Sequence, residues 1–471
     1  MNRRFFLLGS LLLSYVPTLS AASEKEYSLI IIGSGAAGLS AAAAAAETGL
    51  KDILVIEKAP FIGGHSALSG GSVNAVDPEM QLRQGIKDSP ELWEQQILET
   101  GAYRNDPALV RTLVSNAYPT FQWLSGLGIP FQEEVFEAWS GKHKRAHSAG
   151  AKRNGMLYLR TLNRHARDLG VQMLLNTKAE RLIFEDGRVQ GISVIDKNKR
   201  QRLIRAKAVL IATGGFTGNL SMRMRYDQRL DGNIRSTADP NGTGYDSASG
   251  DGILMAETIG AKTVDMDAIQ LIPLQGGRLL DYVGGDIFLD SSGKRFVDES
   301  AEVRFVSEAF LNLPDRVMWV VTDAQSTKNS GLEAKLLTGV VDTAGSIQEL
   351  ADKMGVDRAV LKYTIDRYNK FAEQGRDEDF GKTTFTQKIE KPPFYFGKER
   401  FDAHFSCGGL KINPSAQVLD QADRPIKNLY AAGEVTGGIH GADRLGGDSL
   451  ISCFVFGRIA GLKIAEELNR R

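Results

Sequence analysis

A glycine-spaced turn near the start of the chain constrains the fold more than any other stretch. The apolar run Ile30–Ile32 leads into Gly33, Gly35 and Gly38, and an alanine-rich segment follows. Gly33 permits a tight turn, Gly35 lets the backbone approach a pyrophosphate, and Gly38 lets a helix pack closely on the strand. The helix N-terminus beside these glycines attracts negative charge. The pattern therefore predicts a dinucleotide-binding strand–helix–strand unit.

A second apolar run, Asp52–Ile56, ends at Glu57, about twenty residues after the last of these glycines. An acidic side chain at this distance accepts hydrogen bonds from the ribose hydroxyls of an adenosine half. The acid is a separate requirement of dinucleotide binding, and the chain meets it. Strand, glycines, helix, strand and acid in this order favour a bound ligand over a glycine-rich turn that binds nothing.

Two later strand patterns, Ala208–Phe216 and Asn428–Gly438, also run into glycines, and a last helix begins near Ser449. The carboxyl ends of parallel strands face the ligand crevice of a doubly wound sheet. The loop Lys58–Ser72 is so rich in glycine that we expect its backbone to lie along the ligand. The residues predicted to bind the cofactor are Gly33, Gly35, Ala36, Ala37, Gly38, Glu57, Lys58, Gly64, His65, Ser66, Ser69, Gly70, Gly71, Ala212, Thr213, Gly214, Asp251, Gly433, Glu434, Ser449, Leu450 and Ile451.

Composition limits the other classes of function. At 471 residues the chain is long enough for two domains, or for one domain split by an insertion. Lys plus Arg and Asp plus Glu each number 57, so no overall basic charge favours nucleic acid. The two cysteines, Cys407 and Cys453, form no CxxC or CxxCH motif, which excludes covalent c-type haem and cysteine-ligated zinc. No metal site is predicted, and a disulfide between the two cysteines stays open.

The N-terminal segment has the pattern of an export signal. Arg3 and Arg4 precede an apolar run that continues to about Pro17, and small residues occupy positions 20–22. The apolar run is shorter than the roughly 20 residues that a membrane span needs. The paired arginines are similar to a twin-arginine signal, which carries folded proteins. We predict an exported chain without a stable membrane span; an uncleaved anchor is the alternative.

The stretch from Trp139 to Arg153 is rich in basic residues and in turn formers. A solvated loop is the simpler interpretation of such a cluster. The alternative is a docking patch for an acidic or haem-carrying electron donor.

Several motifs together carry a resemblance to a known family. They are the N-terminal fingerprint, the loop after Glu57, the Gly293–Glu299 segment and the Ala432–Gly447 segment. The chain resembles the FAD-containing fumarate reductase and succinate dehydrogenase flavoprotein family, and most closely its periplasmic flavocytochrome c branch. The resemblance implies an α/β fold, with a split Rossmann-like FAD-binding domain and an inserted α+β capping domain. It also implies a periplasmic location.

With the change of composition near residue 262, this resemblance gives a domain plan. Residues 1–22 are the signal peptide, 23–261 the first part of the FAD-binding domain, 262–385 the cap and 386–471 the second part. FAD is expected to bind non-covalently. His65 leaves covalent attachment open, because some relatives attach flavin through a histidine in this loop.

The chemistry implied by the resemblance is reduction of a carbon–carbon double bond conjugated to a carboxylate. Flavin N5 delivers hydride to the β-carbon, and an arginine protonates the α-carbon. Arg444 and His404 match the family's carboxylate-binding residues, and Arg304 is the candidate proton donor. Its match is imperfect, since the family's arginine usually lies one residue earlier. Asp281, Glu302 or Asp298 is the candidate relay that reprotonates it, and Gly447 is assigned to substrate binding.

One departure from the family concerns the other end of the substrate. Fumarate reductases have a histidine before proline for the second carboxylate, whereas this chain has Ile272 before Pro273, with Asp281 and Tyr282 nearby. Burying a carboxylate without a partner would cost several kcal/mol. We therefore expect a monocarboxylate of the acrylate type. It would be urocanate if Asp281 and Tyr282 face an imidazole, and cinnamate or methacrylate if they do not; fumarate is the alternative.

Because the chain contains no haem motif, electrons are expected from a separate carrier, plausibly a small periplasmic c-type cytochrome. Two rival functions remain. A 3-ketosteroid-type flavin dehydrogenase would share the glycine-rich loop, although His404 and Arg444 argue against it. A flavin electron carrier without turnover would need no proton donor.

Overall fold

The computed structural model describes residues 25–138, 140–150, 155–239, 248–273 and 276–470. The predicted signal peptide lies outside these ranges and stays a prediction. None of the described helices is long and apolar enough to cross a membrane.

Short strands and helices alternate along most of the chain. In chain order the strands are β1 (Tyr27–Ile32), β2 (Ile53–Ile56), β3 (Val73–Asn74), β4 (Phe136–Glu137), β5 (Lys144–His147), β6 (Gln172–Leu174), β7 (Thr177–Glu185), β8 (Arg188–Asp196), β9 (Gln201–Ile211), β10 (Thr263–Val264), β11 (Ile269–Ile272), β12 (Asp286–Leu289), β13 (Met318–Thr322), β14 (Asp342–Ala344), β15 (Phe394–Glu399), β16 (Asp402–Ser406), β17 (Gly409–Lys411), β18 (Gln417–Leu419), β19 (Pro425–Ala431) and β20 (Thr436–Gly437). The helices are α1 (Ala36–Glu47), α2 (Pro78–Arg83), α3 (Pro90–Thr100), α4 (Pro107–Gly126), α5 (Gly155–Asp168), α6 (Leu220–Tyr226), α7 (Asp251–Glu257), α8 (Val303–Leu311), α9 (Leu332–Leu337), α10 (Ile347–Met354), α11 (Arg358–Gln374) and α12 (Asp448–Asn469).

The large sheet has the order β18-β19-β8-β9-β1-β2-β6, with β7 paired to β8. Four of its strands, β2, β1, β9 and β19, run parallel to one another. In the register, Ile56, Ile32, Ile211 and Ala431 align at the carboxyl ends of these strands. The glycine-containing segments that follow each strand therefore meet at one edge of the sheet, as doubly wound folds require for a ligand crevice.

Close helix packing explains the alanine run of α1. Every residue from Ala36 to Ala46 is buried, and α1 lies directly against α12. A β-carbon added to Gly457 would collide with the Ala37 carbonyl, and one added to Gly461 would collide with the Ala41 carbonyl. The two helix backbones thus touch where only small residues fit.

The cap is built on the antiparallel sheet β12-β13-β15-β14. Its core includes Leu350, Leu361, Tyr368 and Phe396, which are all buried. The strand β15 belongs to this sheet, although the sequence analysis assigned residues after 385 to the second part of the FAD-binding domain. Pairing with β13 draws β15 into the cap, which the local composition of 386–400 did not indicate.

A buried ion network lies inside the cap. Glu299 accepts hydrogen bonds from Arg295 (2.7 Å to Oε1) and from Lys382 (3.0 Å to Oε2), and Arg295 also binds Asp377. Burial acts to raise the pKa of Glu299, but the charges of Lys382 and Arg295 outweigh it and hold the pKa below its ordinary value. These paired charges stabilise the cap only as a complete set, because removing one partner leaves another charge buried and unpaired.

The basic stretch after residue 139 is partly buried in its described part. Residues 144–147 are β5, which pairs with β3 and β4. Arg145 is fully buried and donates to both oxygens of Asp88, and His147 is buried as well. These two residues therefore belong to neither a solvated loop nor a docking patch, whereas Lys142, His143 and Lys144 keep exposed surface and a docking role for them stays a prediction. Lys152 and Arg153 lie outside the described ranges.

Candidate active site

Two of the three fingerprint glycines, Gly33 and Gly38, occupy positions that exclude any side chain. Gly33 has φ +107°. A β-carbon added there would collide with the Ala212 carbonyl, and one added to Gly38 would collide with the Gly33 carbonyl. The turn between β1 and α1 is therefore pressed against the end of β9. This close approach brings Gly33, Ala212 and Thr213 together at the sheet edge, as the sequence predicted.

The N-terminus of α1 is open to an anionic group. Its N-cap residue, Gly35, provides no side-chain cap. Ala36 N–H donates to Ser66 Oγ (3.3 Å), and this contact brings the predicted loop over the helix end. β-carbons added to Gly64 and Gly70 of that loop would meet no atom within 4 Å. Thr213 Oγ1 is buried without a hydrogen-bond partner among the described residues. Open helix N–H groups, an open glycine face and an orphaned hydroxyl fit a bound dinucleotide.

Glu57 hydrogen-bonds the segments on either side of it at its end of the crevice. Its Oε2 accepts hydrogen bonds from Ser34 N–H (3.0 Å) and Ser34 Oγ (2.8 Å), and its Oε1 accepts from Ala59 N–H (2.9 Å). Ribose binding by Glu57 stays a prediction. The neighbouring Lys58 forms an ion pair with Asp251 (2.9 Å), so two predicted cofactor residues from distant segments meet.

The rest of the predicted cofactor set lies on the same side of the sheet. Gly433 follows β19, and a β-carbon added there would come within 2.9 Å of the Ala37 side chain. The Gly71 carbonyl accepts a hydrogen bond from Tyr158 (2.9 Å), and Ser69 Oγ donates to the Ser66 carbonyl (2.8 Å). Gly214 follows Thr213 at the end of β9.

The start of α12 faces the same crevice. Gly447 is its N-cap residue with φ +87°, and a β-carbon there would collide with the side chain of Asn74. Asp448 is fully buried and accepts hydrogen bonds from Asn74 Nδ2 (2.7 Å) and Trp93 Nε1 (3.4 Å). Burial raises the pKa of Asp448 to about 6. The predicted residues Ser449, Leu450 and Ile451 form the first turn of this helix.

His404 lies on β16 and belongs to a chain of polar groups. Its Nδ1 is 2.8 Å from Thr237 Oγ1, and the same hydroxyl is 3.1 Å from His65 Nε2. His65 Nδ1 in turn lies 3.4 Å from Glu434 Oε2. The predicted cofactor residues His65 and Glu434 are thus joined to the predicted substrate residue His404 through Thr237, which the sequence analysis did not single out.

Arg444 is buried and is held by neutral oxygen atoms. Its Nη1 donates to the Leu445 carbonyl (2.9 Å), and its Nη2 donates to Gln270 Oε1 (2.7 Å). Its Nε is buried and has no partner among the described residues. The guanidinium lies 5.0 Å from the centre of the Phe405 ring. The positive charge is therefore not neutralised by a hydrogen-bonded carboxylate within the described part of the chain, and a substrate carboxylate would supply that partner.

His404 and Arg444 act on each other electrostatically. Burial lowers the pKa of His404 well below its ordinary value, and the positive charge of Arg444 and the presence of His65 lower it further. His404 therefore stays neutral near pH 7. The structure brings these two predicted residues into one site, where a neutral imidazole and a guanidinium offer donors to one carboxylate.

Ile272 shares a face of β11 with Gln270. A bulge shifts the register between Gln270 and Leu271, so that Ile272 pairs with Asp402 and Leu271 pairs with Ala403; the extra residue lies on β16, and β11 itself stays regular. Side chains alternate along a regular strand, which puts Ile272 on the side of Gln270, the residue that accepts a hydrogen bond from Arg444 Nη2. Leu271 instead packs into an apolar cluster with residues of the cap.

Arg304 comes from the cap, near the start of α8. Its Nε donates to Glu302 Oε2 (3.2 Å), and Glu302 Oε1 also binds Lys142 Nζ (2.7 Å). Arg304 lines a cavity of about 500 Å³ together with Ile269 and Ala442. Ala442 is two residues before Arg444. The cavity therefore connects the candidate proton donor to the segment that carries the carboxylate-binding arginine.

Asp281 and Tyr282 lie elsewhere in the cap. Asp281 Oδ1 accepts a hydrogen bond from Asn329 Nδ2 (3.2 Å), and the Tyr282 hydroxyl accepts from Thr327 N–H (3.1 Å). Among the described residues, neither side chain contacts Arg304, His404 or Arg444. Asp298, another candidate relay, accepts its hydrogen bonds from Ser300.

Sequence reasoning missed three polar residues of this site. Gln270 orients Arg444 and also donates to Asp443 Oδ1 (2.5 Å). A single polar residue inside an apolar strand was the one signal that would have revealed it. Thr237 and Asn74 carry no such signal, because tertiary contacts alone bring them to the crevice.

The comparisons with known proteins agree with this geometry. A family model described as FAD binding domain matches residues 28–450. The chain belongs to the fumarate reductase and succinate dehydrogenase flavoprotein family. Its cofactor is FAD, which suits the open helix N-terminus and the glycine-lined crevice.

Three relatives show the range of this family. The NADH:fumarate oxidoreductase of Klebsiella pneumoniae (strain 342) is 33% identical over 94% of this chain, and the chain spans about half of that relative, 48% of its length. The urocanate reductase of Eggerthella lenta is 33% identical, covering 96% of this chain and 76% of that protein. The acrylate reductase flavoprotein subunit of Shewanella woodyi is 33% identical, with 93% and 91% covered.

A solved structure confirms the predicted fold class. The open conformation of a flavocytochrome c3 fumarate reductase aligns with a TM-score of 0.78 at 32% identity, covering 95% of this chain and 80% of that chain. The family therefore fixes the fold and the cofactor. The named relatives act on different substrates, so the substrate has to be argued from the site of this chain.

Proposed function

We propose that this flavoprotein reduces the carbon–carbon double bond of an α,β-unsaturated monocarboxylate whose distal group is apolar, such as cinnamate or methacrylate. One observation carries the proposal: Ile272 stands on the same face of β11 as Gln270, which holds the Arg444 guanidinium, and the side-chain hydrogen bonds of Arg444 go to neutral oxygens. One end of the site thus offers donors to a carboxylate, and the neighbouring wall is apolar.

The carboxylate end both binds and activates the substrate. Hydride addition at the β-carbon drives electron density toward the α-carbon and the carboxylate. Arg444 and His404 donate to the carboxylate oxygens and stabilise this growing charge, which makes their interaction stronger in the transition state than in the ground state. Burial strengthens the effect, because little water competes for these donors.

The apolar end selects against a second carboxylate. Fumarate would place its distal carboxylate near Ile272, where burial without a donor costs several kcal/mol. Asp281 and Tyr282, the groups proposed to recognise an imidazole, are occupied by Asn329 and Thr327. This favours an aryl or alkyl group over the imidazole of urocanate.

Arg304 is the proposed proton donor to the α-carbon. An arginine gives up a proton only if it is promptly reprotonated, because its ordinary pKa is far above neutral. Of the three relay candidates, Glu302 is the one that hydrogen-bonds Arg304. Glu302 therefore returns the proton to the guanidinium, and its one-third exposed carboxylate can take protons from solvent.

Bound FAD supplies the hydride for the β-carbon. Two electrons per turnover come from a separate donor, which we propose to be a small periplasmic c-type cytochrome. The proposed periplasmic location follows from the N-terminal signal pattern, and the proposed FAD linkage is non-covalent. His65 uses both ring nitrogens in contacts with Glu434 and Thr237, which supports a role for this histidine other than attachment.

The test is anaerobic oxidation of reduced viologen by the purified holoenzyme. Cinnamate, methacrylate, urocanate and fumarate are compared at matched concentrations. We expect cinnamate or methacrylate to give the highest kcat/KM and fumarate the lowest. Preference for urocanate would overturn the apolar distal group, and preference for fumarate would overturn the monocarboxylate assignment altogether.

Assays on the same purified holoenzyme distinguish two other functions from the proposed one. Oxidation of a 3-ketosteroid without any enoate turnover would favour a ketosteroid-type dehydrogenase, although that chemistry has no need of the Arg444 and His404 donors. Donor-linked activity that survives the Arg304→Ala change would favour a flavin electron carrier, because electron transfer needs no proton donor.

A further inference from the structure

A row of hydrogen bonds links His404 to Glu434, and the number of hydrogens on each group limits which group donates and which accepts. Thr237 Oγ1 stands between two histidine nitrogens, 3.1 Å from His65 Nε2 and 2.8 Å from His404 Nδ1. The hydroxyl owns one hydrogen, so it can donate to only one of the two histidines, and a ring nitrogen without a hydrogen must be the one that receives it. Whether His65 accepts from Thr237 or donates to it therefore decides whether Thr237 has a hydrogen to donate to His404.

The far end of the chain orients His65. Glu434 is buried, and its Oε1 accepts from both Ser406 N–H (3.0 Å) and Ser406 Oγ (3.1 Å). As a carboxylate, Glu434 only accepts hydrogen bonds. His65 Nδ1, 3.4 Å from Glu434 Oε2, must therefore carry a hydrogen, because a bare nitrogen would face a negative oxygen.

With a neutral His65, the chain leaves His404 without a donor for substrate. The single ring hydrogen of His65 is on Nδ1, so its Nε2 accepts from the Thr237 hydroxyl. Thr237 then accepts from His404 Nδ1–H. His404 is neutral, and its own single hydrogen is now used, so its Nε2 is a bare lone pair. A lone pair repels a substrate carboxylate.

A proton on His65 reverses every step. His65 Nε2–H now donates to Thr237, and the Thr237 hydroxyl donates to His404 Nδ1. The hydrogen of His404 moves to Nε2, where it can be donated to a carboxylate. No other hydrogen bond of His404 Nε2 is found within the described ranges, so this nitrogen is available to a ligand.

We propose that His65, acting through Thr237, is a positioning residue that decides which nitrogen of His404 carries the hydrogen, so that carboxylate binding is coupled to uptake of one proton by His65. The inference rests on the proposed function, since it takes His404 as a carboxylate ligand. The proton on His65 also keeps the charge balanced, because it faces Glu434 while the substrate carboxylate arrives beside Arg444.

The charged and titratable groups around the relay come from four separate segments. They are Glu434 after β19, Arg444 before α12, His404 on β16 and His65 itself in the loop after β2. The two rings meet edge to face at 5.4 Å between centroids. The proposal places the added proton on His65 because its Nδ1 faces Glu434 and its Nε2 faces Thr237.

The experiment measures the Kd of cinnamate for the oxidised holoenzyme, which binds the ligand without turnover, between about pH 5 and pH 9. In the pH range where His65 of the ligand-free protein is neutral, cinnamate binding has to take up a proton. The Kd should therefore rise by up to about tenfold per pH unit in that range. Calorimetry in buffers of different ionisation enthalpy should show close to one proton taken up per cinnamate in that range. A Kd that ignores pH, with no proton uptake, would overturn the coupling.

Four variants separate this coupling from a merely structural role. His65→Gln places an amide NH₂ group where it can donate to both Glu434 and Thr237, so its cinnamate Kd should stay nearly constant over the same range. Thr237→Val cuts the chain and should also abolish the pH dependence, while Thr237→Ser should restore it. His165→Gln, which changes another histidine that is paired with a glutamate, Glu47, should keep the wild-type profile.

A ligand-free measurement keeps the test decisive if the proposed function fails. ¹⁵N-histidine spectra of the holoenzyme report which His404 nitrogen carries the hydrogen. We expect it on Nδ1 in the wild type at high pH and on Nε2 in His65→Gln. The same position in both proteins would overturn the inference, whereas failure of every monocarboxylate to bind would overturn the proposed function alone.

Discussion

Arg444 is buried and His404 is half-buried; both follow the last strand of the cap, and their described side-chain hydrogen bonds go to neutral groups. Arg304 belongs to the cap itself, lines an open cavity and is paired with a carboxylate, Glu302. The first half keeps an uncompensated positive charge away from water, which suits the binding of an anion. The second half keeps a cation in contact with a base and with solvent, which suits proton exchange.

This contrast assigns carboxylate binding to one domain and proton delivery to the other. A change in the Arg304 half should slow the chemical step and leave binding intact, whereas a change in the carboxylate half should weaken binding and slow the step together. Each prediction below tests whether that separation holds.

The largest effect is expected from Arg304→Gln. Loss of a general acid typically lowers a rate by about 10²–10⁴. We expect a fall of this size in kcat for cinnamate reduction, with a cinnamate Kd within a few-fold of the wild-type value. Stopped-flow reoxidation of the reduced enzyme measures the chemical step directly. Arg316→Gln, which changes another ion-paired arginine of the cap, is the matched control. Wild-type reoxidation in Arg304→Gln would assign proton delivery to another residue.

A second large effect is expected from Arg444→Gln. Removing one partner of a buried, charge-assisted interaction costs about 2–5 kcal/mol. The Kd of cinnamate should rise accordingly, and kcat should fall as well, because the same contact stabilises the transition state. Titration of the flavin absorbance with cinnamate gives the Kd. A tight Kd with only kcat reduced would mean that Arg444 belongs with Arg304 in function, and the division between the halves would fail.

The cofactor edge was predictable because its signal is local. Gly33 and Gly38 meet backbone atoms at the ends of adjacent strands, and only glycine fits there. Spacing along the sequence therefore determines the structure. The roles of His404 and Arg444 in carboxylate binding stay a prediction that rests on the resemblance, since nothing in the local pattern around His404 separates it from a structural histidine.

The remaining features depend on contacts between segments far apart in sequence. Gln270 reaches Arg444 across 174 positions, and His65 reaches Thr237 across 172. The bulge that leaves His404 without a partner on β11 is a property of the β11–β16 pairing. Likewise, β15 joins the cap because β13 offers it a partner. No local propensity encodes such pairings, so the sequence alone left the relay and the cap boundary undetermined.

The third prediction sharpens the contrast between the carboxylate end and the apolar end. Ile272→His adds a donor on the face of β11 that carries Gln270, and a hydrogen bond to a charged group is worth about 1.5–3 kcal/mol. We expect the ratio of kcat/KM for fumarate over cinnamate to rise by about 10- to 100-fold.

Leu271→His is the control for this change. Leu271 projects into the cap's apolar cluster, so a histidine there should lower stability without any gain in fumarate reduction. Thermal unfolding and steady-state rates together distinguish the two variants. An equal fumarate gain in both would mean that the assigned faces of β11 are wrong.

The smallest effect is expected from breaking an ion pair between the cap and the other domain. Lys142 Nζ lies 2.7 Å from Glu302 Oε1, so a residue between β4 and β5 contacts the relay carboxylate of the cap. Both side chains are about one-third exposed, and such ion pairs contribute about 0–1 kcal/mol. Lys142→Met should therefore lower kcat only a few-fold, by loosening Glu302 beside Arg304.

Measuring kcat at increasing ionic strength tests this last prediction. Added salt screens an exposed pair, so the wild-type kcat should fall toward the variant's value as ionic strength rises, while the variant changes little. Lys144→Met alters a neighbouring exposed lysine and should keep the wild-type salt response. The same salt response in the wild type and in Lys142→Met would show that Glu302 is positioned by Arg304 alone. In that case the cap would hold its proton donor and relay without help from the other domain.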